Sequence, residues 1–205
     1  MQFVKGYLYH IYNQGNNKQT IFFKKENYLF FLRKIRTYIL PYADIISWCL
    51  MPNHFHLMVL INETELAVKT VGVAPSHTDS NADNIKKQTI NESIGIMLRS
   101  YSQAINKQNN TTGKLIREKT KAECINCPNG ITPSFISKNS ITQININKPE
   151  RQYPQICFDY IHQNPVKSGL AKSIIDWEFS SAIDFTNIRN GKLINMEVAK
   201  EYIEY

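Results

Sequence analysis

The most informative stretch of the chain runs from Ser47 to Leu60 and reads SWCLMPNHFHLMVL. Apolar, β-favouring residues on both sides of His54-Phe55-His56 predict a buried strand. Side chains two positions apart on a strand point to the same face, so the two imidazoles are expected side by side. Such a pair suits two corners of a divalent metal site, with Phe55 packing on the opposite face. A polar patch or an incomplete metal site is the alternative.

The length, composition and charge of the chain limit the number of domains and the kinds of partner that can be expected. A chain of 205 residues with 42% hydrophobic residues is expected to form one domain with a substantial core. The excess of 24 basic over 17 acidic residues, a net charge of +7, favours a polyanionic partner, with nucleic acid first and a membrane surface second. The sequence shows no apolar run of membrane-spanning length and no signal-peptide pattern, so we expect a cytoplasmic protein with no membrane partner.

The four cysteines predict no disulfide framework. Cys49 and Cys157 lie in apolar contexts, which is typical of small core residues. Cys124 and Cys127 have the spacing of a metal-binding knuckle, but no second Cys or His pair follows them nearby, which disfavours a structural zinc site.

The first half of the chain predicts the order β-α-β-β. Residues 5–13 are rich in aromatic and β-branched types, which indicates a strand. Apolar residues at three- and four-residue spacing predict a helix over 25–42, which Pro41 closes. Residues 44–50 are expected to form a second strand. A tight turn then leads into the strand that carries the His pair.

The second half adds a helix and a strand. Residues 91–108 predict a helix with its N-terminal cap within 91–93. The basic segment 114–121 predicts the fourth strand or an arm that faces DNA. A third helix is expected to open at 153–154 and to stop at Pro165. The fold class is therefore α+β: a ferredoxin-like split βαβ sandwich, an antiparallel sheet with helices, plus a C-terminal helix.

We expect one domain over residues 1–185, followed by a C-terminal tail or helix over 186–205. Two polar segments, near 62–90 and 125–150, lack periodicity and predict exposed loop insertions without chemistry. The aromatic residues expected to pack against the core just before the tail are Trp177 and Phe179.

Tyr160 and Asn164 lie four residues apart on the third predicted helix and therefore share a face. A tyrosine hydroxyl, with a pKa of roughly 10, is a poor nucleophile unless a metal ion polarises the phosphate that it attacks. Two histidines and one amide oxygen would accept Mg²⁺ or Mn²⁺. The alternative is a tyrosine that packs its ring into the core and an asparagine that caps the helix end.

Two motifs in this order carry a family resemblance. Residues 51–59, MPNHFHLMV, and residues 160–170, YIHQNPVKSGL, closely resemble the single-tyrosine HUH transposases, in particular the REP-associated tyrosine transposase branch. The likeness covers most of residues 5–185, including YHIYN at 9–13 and WEFSS at 177–181. It implies a ferredoxin-like nuclease domain that cuts single-stranded DNA next to a hairpin, leaving a covalent 5′-phosphotyrosine and a free 3′-hydroxyl.

The resemblance also implies roles for individual residues. Tyr160 takes the position of the nucleophile, and His54 and His56 take those of metal ligands. Insertion-sequence members carry glutamine four residues after the tyrosine, whereas this chain has Gln163 at three and Asn164 at four, as the REP-associated branch does. Asn164 is therefore the predicted third ligand of a Mg²⁺ or Mn²⁺ ion, with Gln163 as the alternative.

Other residues compete for roles or support them. Tyr101 is the competing nucleophile, although its spacing also fits a core residue or a hairpin contact. His162 is expected to be structural, and His10 either supports the site from behind or simply packs. Alternating basic residues predict contacts to DNA phosphates, unless they only solvate the outer face of an edge strand. These residues are Arg117, Lys119 and Lys121.

The leading hypothesis is a metal-dependent single-stranded DNA endonuclease and strand transferase that acts through Tyr160 as a monomer or a homodimer. Its expected partner is single-stranded DNA with hairpins. A domesticated, catalytically silent protein that binds DNA or RNA hairpins is the alternative from another class. A hydrolase that uses activated water would tolerate Tyr160→Phe, whereas the covalent mechanism would not.

Overall fold

A computed structural model describes residues 2–69, 85–127 and 149–205 of the chain. The strands of these ranges are β1 (Leu8–Gln14), β2 (Ala43–Met51), β3 (His54–Ile61), β4 (Glu65–Lys69), β5 (Ile85–Thr89) and β6 (Lys121–Cys124). The α-helices are α1 (Lys25–Tyr38), α2 (Ile90–Asn109), α3 (Pro149–Lys167) and two short ones, α4 (Ala182–Phe185) and α5 (Met196–Ala199).

The main sheet has the strand order β2-β3-β1-β6, and every neighbouring pair is antiparallel. Strand β3 therefore lies between β1 and β2, which are joined through α1. This insertion of one strand into a βαβ unit is the split βαβ arrangement, and the predicted ferredoxin-like fold is confirmed.

Alternate residues of β3 point to opposite faces of the sheet. Phe55, Leu57 and Val59 are fully buried in the core cluster that includes the apolar residues of α1 and α2. The ring of Phe55 lies 5.0 Å, centroid to centroid, from that of Phe31 on α1. The prediction that Phe55 packs on the face opposite the His pair is thus confirmed.

A second core covers the other face of the sheet. Met58 on β3 and Leu8 on β1 belong to a buried cluster with Cys157 and Ile161 of α3. The sheet is therefore covered by α1 and α2 on one face and by α3 on the other. Because α3 lies over the face to which the even-numbered residues of β3 point, it brings its own side chains to the His pair.

Helix α2 begins earlier than predicted, at Ile90, and its cap is Thr89 rather than a residue within 91–93. The Thr89 hydroxyl accepts a hydrogen bond from the backbone N–H of Glu92, and the Glu92 carboxylate accepts one from the backbone N–H of Thr89. This reciprocal capping box satisfies two donors that a helix end would leave unpaired.

Helix α3 begins at Pro149 and continues past Pro165, so the predicted opening at 153–154 and the predicted stop at Pro165 are both wrong. Proline costs the helix one hydrogen bond but has a backbone angle that a helix tolerates, and the tertiary packing outweighs the loss. The helix ends at Lys167, and Gly169, two residues later, has a φ of +72°. The backbone N–H of Leu170 donates to the carbonyl of Pro165 at 2.9 Å, as in a Schellman C-cap.

The prediction of a loop insertion over 62–90 is wrong at the two ends of this range. Strands β4 and β5 pair there in antiparallel register, because cross-strand backbone hydrogen bonds form even where the side chains show little hydrophobic periodicity. Residues 70–84 lie outside the described residues, as do residues 128–148 of the second predicted insertion.

The basic segment 114–121 is mostly irregular. Strand β6 begins only at Lys121, and Ile116 makes an isolated bridge with Gly15. Directly after β6, a tight turn joins Cys124 and Cys127 in a disulfide, so the expectation of no disulfide is wrong for this pair. Two further cysteines are buried and free, as predicted. They are Cys49 and Cys157.

The segment before the C-terminal residues packs against the sheet as predicted. The Trp177 indole N–H donates to the carbonyl of Leu50 at 2.9 Å, and the Phe179 ring stacks on Tyr28 with centroids 3.8 Å apart. Within the described ranges, no helix combines the length and the apolar character that crossing a membrane requires.

The positive φ of Gly169 yields a prediction on stability. Gly169→Ala would force an alanine into the left-handed region and lower the free energy of unfolding by about 1 kcal/mol. The matched control is Gly95→Ala within α2, where an added Cβ meets only the flexible end of Arg99. It is expected to raise the free energy of unfolding by about 0.5–1 kcal/mol. Urea unfolding measures both, and effects of the same sign would contradict the assignment.

Candidate functional site

The site lies between β3 and α3. The Tyr160 ring on α3 is 5.4 Å, centroid to centroid, from the His56 ring on β3 and 5.9 Å from the His10 ring on β1. His10 and His56 are neighbours because β1 and β3 are adjacent in the sheet. The predicted tyrosine and the predicted His pair are therefore brought together by packing of α3 on the sheet.

The two histidines of the pair are held through the same ring nitrogen. Their ring centroids lie 5.0 Å apart. Nδ1 of His54 lies 2.6 Å from the side-chain oxygen of Asn53, and Nδ1 of His56 lies 2.9 Å from Nε2 of His10. Nε2 of His56 is buried and has no hydrogen-bond partner among the described residues. The second nitrogen of His56 is thus left with an unused hydrogen-bonding position.

Asn164 faces the site and Gln163 does not. The Asn164 amide donates to the Tyr160 carbonyl at 2.8 Å, and its side chain also hydrogen-bonds the side chains of His54 and Tyr160. Gln163 is exposed to solvent. Of the two candidates for the third ligand, the structure places Asn164 beside the histidines.

Burial controls the charge of the site. Desolvation lowers the pKa of His54, a shift that the hydrogen bond with Asn164 opposes. Desolvation, reinforced by the neighbouring imidazoles, brings the pKa of His56 well below its usual range. Desolvation also raises the pKa of Tyr160, which the Asn164 bond partly offsets. At neutral pH the imidazoles are neutral, with lone pairs that can ligate a metal, and the phenol keeps its proton.

The site opens into a pocket of about 280 Å³ that also contains the three predicted DNA-binding cations. All three are exposed. Their loop is fixed to β1, because the Asn13 amide donates to the Arg117 carbonyl at 3.0 Å and to the Thr120 hydroxyl at 2.9 Å. The residues that line the pocket are Tyr12, Asn13, Gln14, His54, His56, Arg117, Lys119, Lys121 and Tyr160.

A solved structure shares this architecture. It is that of a REP-associated tyrosine transposase bound to a REP hairpin, with a TM-score of 0.53, 15% sequence identity, and coverage of 91% of this chain and 83% of that one. The chain has the fold of a REP-associated tyrosine transposase. No protein-family model and no curated protein matches the sequence. At this identity the likeness establishes the fold, and the roles of individual side chains rest on their geometry.

In this transposase-like fold, two neighbours of the site were not predicted from the sequence. They are Lys167 and Glu123. The ammonium of Lys167 lies 5.8 Å from the centroid of the Tyr160 ring, two helical turns along α3. The seven-residue spacing was a usable signal, because it places both residues on one helix face. Glu123, which accepts a hydrogen bond from the Tyr12 hydroxyl at 2.7 Å, had no such signal because only the strand register brings it there.

Tyr101, the competing nucleophile, and His162 both lie outside the pocket. Tyr101 is fully buried in the core, and its hydroxyl donates to the Ile21 carbonyl at 2.7 Å. His162 is buried against Phe158 and lies 2.7 Å from the Ser181 hydroxyl. Tyr101 is therefore a core residue, and the prediction that His162 is structural is confirmed.

The residues present can hold a divalent cation. No group of three or more His, Cys, Asp or Glu side chains with metal-binding geometry occurs in the described part of the chain. The predicted set instead pairs two imidazoles with the amide of Asn164. The buried, unpartnered Nε2 of His56 fits the set, because a metal ion would satisfy a lone pair that no protein group uses.

Burial of His162 yields a prediction on pH. Desolvation lowers the pKa of this imidazole to about 3 in the folded protein, against about 6.5 in the unfolded chain. Its contribution is fully present above pH 6.5 and is lost as the pH falls toward 3, because only the unfolded chain takes up the proton. His162→Gln is expected to flatten the pH dependence of the unfolding free energy between pH 6 and 4 by about 1.4 kcal/mol per pH unit at most.

Denaturant titrations at each pH would measure this slope for wild type and variant. The other buried histidines keep part of the slope in both proteins. Identical slopes would show that His162 is not held neutral by the fold.

Proposed function

We propose that the chain is a metal-dependent single-stranded DNA endonuclease and strand transferase of the transposase type, acting next to DNA hairpins. One observation carries the proposal: Tyr160 and the two histidines line one pocket together with three cations, and Asn164 hydrogen-bonds His54 and Tyr160 beside it. The hairpin bound by the structural neighbour supports DNA hairpins as the partner.

Tyr160 supplies the nucleophile. Its phenolic oxygen attacks phosphorus, the bond from phosphorus to the 3′-oxygen breaks, and the products are a 5′-phosphotyrosine and a free 3′-hydroxyl. The phenol loses a proton and the leaving 3′-oxygen gains one. Because the tyrosyl phosphodiester replaces one phosphodiester with another, a 3′-hydroxyl can attack it in reverse and join strands without an external energy source.

His54, His56 and Asn164 would hold a Mg²⁺ or Mn²⁺ ion. When bound, such an ion polarises the scissile phosphate and stabilises the leaving oxygen. The chain prepares the ligands by keeping both imidazoles neutral and by fixing each ring through Nδ1. Asn164, which hydrogen-bonds Tyr160, also orients the nucleophile.

The exposed cations bind the DNA backbone. Arg117, Lys119 and Lys121 lie on the segment that enters β6, along the pocket wall, and Lys167 lies near the tyrosine ring. Phosphates neutralised by such residues release counterions, so binding depends on salt and tolerates different sequences. These residues place the strand with its backbone toward Tyr160.

The nucleophile is tested with DNA that carries the hairpins flanking the gene of this protein. Purified wild type and labelled single-stranded DNA, incubated with Mn²⁺, are expected to give a protease-sensitive covalent adduct on a denaturing protein gel. Tyr160→Phe is expected to lose the adduct and all cleavage while retaining hairpin binding, because it removes only the hydroxyl. EDTA is expected to abolish the adduct in wild type.

Tyr101→Phe is the matched control, because it removes a tyrosine hydroxyl from the core and leaves the pocket intact. It is expected to form the adduct. Cleavage without an adduct that survives Tyr160→Phe would identify a hydrolase that uses water. Tight hairpin binding with neither adduct nor nick under any metal would favour the catalytically silent hairpin-binding protein.

The cations are tested by the salt dependence of binding. Replacing Arg117, Lys119 and Lys121 with alanine is expected to reduce the slope of log K against log salt by about 2, at about 0.7 per phosphate contact on single strands. Fluorescence anisotropy at several salt concentrations measures the slope. A matched variant removes three exposed lysines outside the pocket and is expected to keep the wild-type slope. An equal loss of slope would contradict the assignment. Those lysines are Lys86, Lys107 and Lys192.

A further inference from the structure

A second buried histidine lies directly behind the metal-ligand candidate His56. His10 on β1 is 1% exposed, and its Nε2 lies 2.9 Å from Nδ1 of His56. The two ring planes are 18° apart. A neutral imidazole carries one N–H, so one ring donates this hydrogen bond and the other accepts it.

The direction of this bond decides which nitrogen of His56 is free for a metal. If Nδ1 of His56 carries the proton and donates to His10, its Nε2 holds a lone pair that points into the site. If Nε2 of His10 carries the proton, Nδ1 of His56 is the acceptor and its Nε2 carries an N–H, which cannot ligate. A metal ion held by Nε2 of His56 needs that lone pair, so the proposed metal site requires the first arrangement.

The first arrangement also fixes the tautomer of His10, which packs beside Glu123 and Tyr12. For His10 to accept through Nε2, its own proton must lie on Nδ1. Glu123 is the cross-strand partner of His10, and its carboxylate favours positive charge on that ring, although burial still lowers the pKa of His10 to about 4. The Tyr12 hydroxyl donates to Glu123 at 2.7 Å, and the Tyr12 ring stacks on that of His10. These contacts hold both the carboxylate and the imidazole in place.

We propose that His10 is a positioning residue: it accepts the Nδ1–H of His56 and thereby presents the Nε2 lone pair of His56 to the metal ion. Hydrogen-bonded partners behind a ligating histidine commonly fix its tautomer and orientation. The inference deepens the proposed function and rests on it for the identity of the ligand. The tautomer itself is a property of the metal-free protein.

Nitrogen-15 NMR of the metal-free protein at pH 7.5 tests the tautomer. In wild type, the His56 ring is expected to be protonated at Nδ1, the less common form of a free imidazole. His10→Phe keeps a ring in the cavity but removes the acceptor, so His56 is expected to change to the Nε2–H form. His10→Gln supplies an amide oxygen and is expected to restore the Nδ1–H form.

Metal affinity is the second readout. Calorimetric titration with Mn²⁺ is expected to show affinity that is about 10–100-fold weaker in His10→Phe than in wild type. His10→Gln is expected to recover most of this loss. His162→Gln removes a buried imidazole outside the pocket, and it is the control that should change neither the tautomer nor the affinity.

An Nε2–H form of His56 in wild type would overturn the inference, as would unchanged Mn²⁺ affinity in a folded His10→Phe. If His10→Phe fails to fold, the wild-type and His10→Gln tautomers still decide. A correct tautomer in a wild-type protein that binds Mn²⁺ but forms no DNA adduct would sustain the inference while the proposed function fails. An adduct in wild type together with the Nε2–H form of His56 would sustain the proposed function and overturn the inference.

Discussion

Strand β3 is the constraint on which the rest of the structure depends. It pairs with β1 and β2 along both edges, and both of its faces are covered, by α1 and α2 on one side and by α3 on the other. The side-chain period of two fixes the register of β3, because a slip of one residue would turn Phe55 to the face of the sheet that the histidines now occupy. The aromatic core under α1 therefore holds the imidazoles in register beneath α3.

The same packing creates the chemical character of the site. Burying His10 and His56 costs desolvation free energy, which the fold limits by pairing them through one hydrogen bond and by keeping both rings neutral. A rigid sheet then offers a lone pair at fixed position, and α3 offers Tyr160 and Asn164 from above. Preorganisation of this kind places the cost of assembling a site on folding rather than on the reaction.

Much of the fold can be predicted from the local pattern of apolar and turn residues, and the elements that were predicted wrongly have identifiable physical causes. The order of strands and helices along the chain and the presence of α1 were predictable, because hydrophobic periodicity and turn residues repeat over many positions. The sequence predicts that α3 stops at Pro165, whereas the left-handed conformation of Gly169 and the packing of α3 determine where the helix ends. β4 and β5 were missed because their pairing depends on backbone hydrogen bonds between segments with little hydrophobic pattern.

By itself the sequence determined the split βαβ order, the shared face of His54 and His56, and the candidates on α3, because these depend on periods of two and 3.6 residues. Only the tertiary structure decided that Asn164 rather than Gln163 faces the histidines and that the loop cations share the pocket. It also placed His10 behind His56. Strand register and helix docking join residues that are distant in the chain, and no local pattern encodes those distances.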